Sequence, residues 1–349
     1  MSRTRLNVVL SQAPGKHPAK RSLEESVAAA LIMESGLDVS IIPNLYDLGP
    51  DHTGRMFLEG VTGDIVVLSW LFPRAAYWLL DRIGIKGHEG TVSLKPARDV
   101  DEDEEESEKP EVPEAKGIGT NGKIPDRHIY CIDLRDFNTP DPYLGEIRRI
   151  AAECKDRREA ARPATMAFVD LGLPTKAPSL NGTPGPAMQA FLPEQLLAPP
   201  NRRWYPVIDY SRCTNCLECL DFCLFGVYGV NTFDQILVEN QDSCKKGCPA
   251  CSRVCPEQAI MFPEYKSPAI AGAPVGEIGG LKIDLTKLFG GDVKDALAMA
   301  VNERDRELVA DGRQAVGMEV GIPKRQDHKP AGPKDDLDKL MDDLDSLGL

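Results

Sequence analysis

No apolar run in this sequence is long enough to cross a bilayer. The longest, Ile65 to Phe72, is interrupted by Ser69 and stopped by Pro73, whereas a spanning helix takes about 20 apolar residues. The opening Met1-Ser-Arg-Thr-Arg leads into the short segment Leu6–Ser11, with no apolar stretch of the kind a secretory leader carries. Basic residues are outnumbered. The 41 Lys and Arg against 54 Asp and Glu leave a net charge of -13 and a pI near 5.0, which excludes a general nucleic-acid-binding surface. Phosphate fingerprints are missing as well: there is no G-x-x-x-x-G-K-[ST], and no G-x-G-x-x-G follows the first expected strand. The five histidines, His17, His52, His88, His128 and His328, stand in unrelated surroundings. None has the neighbours of a catalytic triad, and they support no metal site of their own.

What is there, in 349 residues, suffices for two or three domains. Residues 1–160 read as an α/β domain. Leu6–Ser11, Asp38–Ile42, Asp64–Trp70 and His128–Leu134 are apolar, β-branched runs that fit buried strands. Between them a helix is expected from a capping box at Ser22-Leu23-Glu24-Glu25 to Ser35, stopped by Gly36. Others are expected over Gly54–Val61, Pro73–Ile83 and Leu144–Lys155. Alternation of this kind predicts a parallel sheet covered on both faces, flavodoxin-like in outline. Lys16, His17, Lys20 and Arg21 precede the first helix. A helix N-terminus with bases beside it suits an anion, while the missing phosphate fingerprint favours a loop of solvated bases.

An acidic insertion, 99–122, interrupts this domain: Asp101 to Glu108 holds seven acidic residues in eight, a composition that stays solvated. A Pro/Gly-rich linker, 161–203, follows, anchored by Phe168-Val169 and Phe191-Leu192. Beyond 266 come a turn-rich stretch, a short helix at Asp284–Phe289 and a longer one at Asp292–Ala310 capped by Asp292. After a polar linker, 321–333, the end of the chain places Leu337, Leu340, Met341, Leu344 and Leu347 on one stripe of an acidic amphipathic helix, 334–349. Such a helix is too short to stand alone and is expected to fold on a partner's groove or back on its own protein.

Cysteine is the concentrated element. Eight of the ten fall within 213–256, as Cys213, Cys216, Cys219, Cys223 and then Cys244, Cys248, Cys251, Cys255. The first four are spaced C-x2-C-x2-C-x3-C, the second C-x3-C-x2-C-x3-C with Pro256 following at once. The halves form an internal repeat whose second loop is one residue longer, through Lys245-Lys246-Gly247. Val207–Tyr210 and Ile236–Glu239 are strands leading into the cysteine loops; each last cysteine is expected to open a helical turn that returns to a strand. Clustered ligands rather than scattered staples point to a reducing compartment, the cytoplasm.

Residues 204–265, under a fifth of the chain, resemble the bacterial-type two-cluster ferredoxins. The resemblance implies a small α+β domain holding two [4Fe-4S] clusters, with ligands exchanged between the motifs. Cys213, Cys216, Cys219 and Cys255 would hold one cluster, and Cys244, Cys248, Cys251 and Cys223 the other. Leu224 stands where the family has proline, and the Cys244–Cys248 loop is one residue longer than usual. Lys245 and Lys246 are expected to favour the reduced state of the nearer cluster, Glu218 and Asp221 to disfavour it in the first. Zinc is the alternative content, although three cysteines so close do not suit finger or ribbon spacing. Cys131 and Cys154 lie outside any ligand spacing.

The function expected is one-electron relay between redox partner proteins. The rival is an oxidoreductase, or a subunit of one, whose first domain binds flavin, nucleotide or substrate. A weaker rival is an interaction module in which clusters only hold the fold.

Overall fold

Alternate residues of the central strands go to opposite cores. Val9, Ile65, Val67, Ile129 and Cys131 belong to one, and Val8, Leu10, Val66, Leu68, Tyr130 and Ile132 to the other. The computed structural model describes residues 5–94, 117–120, 122–160, 197, 200–274 and 293–317. In it β1 (Leu6–Ser11), β2 (Leu37–Ile42), β3 (Ile65–Ser69), the two-residue β4 (His88–Glu89) and β5 (His128–Asp133) form one sheet. All its pairs are parallel, in the order β2-β1-β3-β5-β4. Helices α1 (Pro18–Ile32) and α4 (Asp141–Ala160) cover one face through Leu23, Val27, Leu31, Tyr143, Ile147 and Ile150. Helices α2 (Thr53–Gly60) and α3 (Pro73–Arg82) cover the other through Leu58, Ala75, Ala76, Leu79 and Leu80. Strands buried on both faces are why the sequence reads as continuous apolar runs. Among the described residues no helix is long and apolar enough to cross a membrane.

The first helix departs from expectation. It begins at Pro18, a turn before the predicted capping box, and its N-cap His17 makes no side-chain cap bond. Proline in the first turn presets the helical φ and loses no hydrogen bond there. Ser22 is therefore an interior residue whose carbonyl accepts from the Ser26 hydroxyl at 2.8 Å. Helix α4 is longer than predicted at both ends, starting at Asp141-Pro142.

Downstream, β6 (Val207–Ile208) pairs antiparallel with β9 (Ile260–Met261), and β7 (Tyr228–Val230) with β8 (Ile236–Val238). Short helices α5 (Glu218–Phe222), α6 (Ala250–Val254) and α7 (Pro268–Ala271) follow the loops between them, and α8 (Val293–Ala310) packs on α6. This unit shares a core with the sheet domain, since Tyr205, Val207 and Met261 sit among the side chains around α3. Tyr46 and Tyr205 lock the joint reciprocally. The Tyr46 hydroxyl donates to the Tyr205 carbonyl (2.5 Å) and accepts from its N–H (2.8 Å), while the Tyr205 hydroxyl donates to the Tyr46 carbonyl (2.8 Å). Arg74 of α3 donates to Asp209 at 2.5 Å and to the Gln258 carbonyl at 2.7 Å. Gly272, at φ +102°, lies so close that a Cβ there would meet the Ala75 methyl at 2.7 Å.

The end of the acidic insertion lies against the first cysteine loop. Gly117, Ile118 and Gly119 donate backbone hydrogen bonds to Ser211, Cys213 and Tyr210 at 2.8–2.9 Å, and Thr120 joins the Lys86–Asp81 pair. Gly117 is required by the approach, because a Cβ would stand 2.1 Å from the Ser211 oxygen. The acidic run 101–108, the linker anchors at 168–169 and 191–192, the helix at 284–289, the Asp292 cap, the 321–333 linker and the helix at 334–349 lie outside the described residues.

The Tyr46–Tyr205 joint is testable. Tyr46→Phe leaves the N–H and carbonyl of Tyr205 without their buried partner, at a cost of about 1–3 kcal/mol. The urea midpoint of the anaerobically purified chain should fall accordingly; an unchanged midpoint would remove this pair from the account of the joint.

Candidate metal centres

Left-handed residues shape the first cysteine loop. Asn215 (φ 58°) and Leu217 (φ 63°) turn the backbone between Cys213 and α5. Asn215 tolerates that region better than most residues, and its side chain ties the loop to the β7–β8 hairpin by donating to Asp234 O and accepting from Ile236 N, both at 2.8 Å. In the second loop Gly247 (φ 87°) absorbs the extra residue, and Cys248 N–H donates to Lys245 O at 3.0 Å. The last cysteine of each motif ends a helix rather than opening one. Cys223 N–H bonds to Cys219 O and Cys255 N–H to Cys251 O, an i, i+4 spacing that C-x3-C contains. Both cysteines then turn extended, at φ -80°, ψ 107° and φ -65°, ψ 113°.

Two cavities result. One is lined by Cys213, Cys216 and Cys219 of the first motif together with Cys255 of the second. The other is lined by Cys244, Cys248 and Cys251 with Cys223. Backbone N–H groups approach the sulfurs: Asn215 toward Cys213, Glu218 toward Cys216, Phe225, Gly226 and Val227 toward Cys223, and Ala250 toward Cys248. Ala259 N–H donates to Cys255 Sγ at 3.3 Å, and the buried Tyr228 hydroxyl bonds to Cys251 Sγ at 3.1 Å. Donors of this kind favour a charged sulfur.

Burial opposes that charge. It pushes all eight thiols up, Cys213 and Cys248 to about 11. Repulsion adds to burial within each cavity: Cys219 feels Cys255, Cys213 and Cys216, and Cys251 feels Cys223, Cys244 and Cys248. Four thiolates in such a space need a body of positive charge among them. Among the described residues no three Cys, His, Asp or Glu side chains converge as ligands of a single ion. A tetrahedral zinc, with sulfurs about 2.3 Å away, therefore fits less well than an iron-sulfur cluster several ångströms across, and the inward N–H groups suit its sulfurs.

The remaining expectations divide. Glu218 lines the first cavity and is buried. Lys245 lines the second, and its ammonium pairs with Asp311 of the turn after α8 at 2.6 Å. Lys246 instead borders an open cleft between residues 47–52 and the second loop, which also touches Cys244. Sequence reasoning missed Arg304, which is 1% exposed and lines the second cavity. Its signal was a lone arginine on the apolar stripe Leu297, Ala300, Val301, Leu308. Cys131 and Cys154 are buried in the sheet domain, away from both cavities.

At the base-rich turn, read as a loop of solvated bases, Arg21 pairs with a carboxylate of the chain itself. Glu24 of α1, 3% exposed, accepts from Ala13 N–H (2.5 Å) and Trp70 Nε1 (2.8 Å) and pairs with Arg21 (2.8 Å). Lys20 stands over the Trp70 ring at 4.5 Å.

The chain thus contains a ferredoxin-type segment set against a parallel α/β domain. Over 66 residues it is 47% identical to an uncharacterized ferredoxin of Methanocaldococcus jannaschii, a match covering 19% of this chain and 44% of that protein. No family model and no solved structure matches the chain, and the α/β domain is not identified by these comparisons.

Asn215 links loop to hairpin independently of any cluster. Asn215→Ala removes the acceptor of the Ile236 amide; a lost bond of about 1 kcal/mol should speed its hydrogen exchange roughly fivefold. Unchanged protection at Ile236 would count against the tie.

Proposed function

We propose that this chain relays single electrons through two [4Fe-4S] clusters, to or from a partner oxidoreductase. One observation carries the reading: two separate cavities, each lined by four thiols, three from one motif and one from the other. In this reading Cys213, Cys216, Cys219 and Cys255 hold the first cluster, and Cys244, Cys248, Cys251 and Cys223 the second. Bound there, the clusters would supply reversible one-electron storage.

The chain's own residues do the rest. Ile208, Ile236 and Ile260 wall the first cavity and Phe222, Val227 and Tyr228 the second, giving the sulfurs a largely apolar surround. Backbone N–H groups and the Tyr228 hydroxyl stabilise sulfur charge without titrating. Interlocking fixes the two centres relative to each other, which a relay requires.

The rival places the chemistry in this chain, with the α/β domain taking a flavin, nucleotide or substrate. The open cleft bordering Cys244 favours it; the Glu24 carboxylate at the end of β1 disfavours an anionic ligand there. Release of flavin or nucleotide on denaturing the anaerobically purified chain would decide for the rival.

The crosswise assignment has its own test. The chain should carry about eight irons and eight sulfides. Cys255→Ala, although in the second motif, should abolish the signal of the cluster held by Cys213, Cys216 and Cys219 and spare the other. Paramagnetic resonance of the reduced variant, with Cys248→Ala as the converse, reads this directly. Loss of the second signal in Cys255→Ala would overturn the assignment.

A further inference from the structure

The two cavities differ in the charge that faces them. Among the described residues no lysine or arginine lines the first; Glu218 and Glu257 do. The second is lined by Lys245 and Arg304. Lys245 is a third exposed and tied to Asp311, so its field is shared with a carboxylate and screened by water. Arg304 is different. Helix α8 lays Ala300 and Val301 against Phe222, Cys248 and Ala250 and brings the Arg304 guanidinium to 4.8 Å from the centre of the Phe222 ring.

Its surroundings orient that charge. Nε donates to Asp305 at 3.0 Å and Nη2 to the Gly317 carbonyl at 2.7 Å, while Gly317 N–H donates to Asp305 at 2.7 Å. Arg304 is among the residues lining the cavity and Asp305 is not, while Glu303 and Glu307 of the same helix act on Cys248 with the opposite sign.

We propose that Arg304 is a built-in positive charge against the second cluster, making that centre the easier of the two to reduce and giving the relay a direction. The inference rests on the two-cluster reading above. Reduction adds negative charge, which a cation nearby in a low-dielectric setting stabilises. An electron received by the first centre would then pass to the second, the one being oxidised and the other reduced by one electron with no proton or bond exchanged. The determinant lies on α8, beyond the cysteine-bearing loops.

A dithionite redox titration of the anaerobic full-length chain, followed by paramagnetic resonance, tests this. Cys255→Ala assigns the signals. Wild type should show two midpoints with the second cluster's the higher. Arg304→Met should lower the second midpoint and leave the first in place, Arg304→Lys should restore most of the loss, and Asp305→Asn should raise the second midpoint. Unmoved midpoints in Arg304→Met, or equal shifts of both, overturn the proposal. Should Arg304→Met fail to load clusters, Asp305→Asn decides, and no upward shift overturns it. Iron short of two clusters in wild type would overturn the reading beneath; full iron with unmoved midpoints overturns only the role of Arg304.

Discussion

Cys223 and Cys255 leave their one-turn helices with extended backbone, and each then lines the cavity surrounded by the other motif's three cysteines. Neither half can be completed alone. A chain holding only the first motif would set three thiols around one space and leave the fourth with nothing to join. The strand pairs obey the same constraint: β6, which leads into the first loop, pairs with β9, which returns from the second. Cavity and ladder form one interlock, and burial with mutual repulsion pushes up the thiols that it concentrates.

Much of this was legible in the sequence, for physical reasons that can be named. Strands buried on both faces announce themselves as apolar runs, so β1, β2, β3 and β5 were read within a residue or so. The resemblance implied thiols shared crosswise between the motifs, which is the assignment proposed above. Other features depend on what only folding brings together. Helix α1 was misplaced because a capping-box pattern at Ser22 outweighed Pro18. The ordered strap at Gly117–Thr120 was hidden beside seven acidic residues, and its cause is a neighbour, Ser211, far along the chain. Arg304 went unnoticed in the sequence because its place beside the second cavity depends on α8 being seated on α6.

The site also explains why the loop lysines are a poor guide to its electrostatics. Both stand in the second loop and both read as cations beside a cluster. In the fold Lys245 meets Asp311 and Lys246 turns to the cleft, where Arg202, Arg203, Asp47 and Asp242 already pair among themselves. Proximity in sequence sets which loop a charge is on. Burial and the position of the counter-ion decide how much of it reaches the interior.

Attachment to the α/β domain follows from a charge that this domain handles badly by itself. Arg74 sits in the first turn of α3, which carries no acidic residue of its own, so a cation faces the positive end of the helix dipole. Asp209 of the ferredoxin-type segment brings the missing carboxylate to that turn, 97% buried against an Arg74 side chain 13% exposed. The same carboxylate accepts from Ser211 N–H and hydroxyl, and the Asp209 carbonyl accepts from Cys213 N–H at 3.0 Å. One residue thus repairs the helix terminus and fixes the start of the first cysteine loop. Each unit supplies the other's missing partner, and the cysteine segment is held in place by the sheet domain rather than merely linked to it.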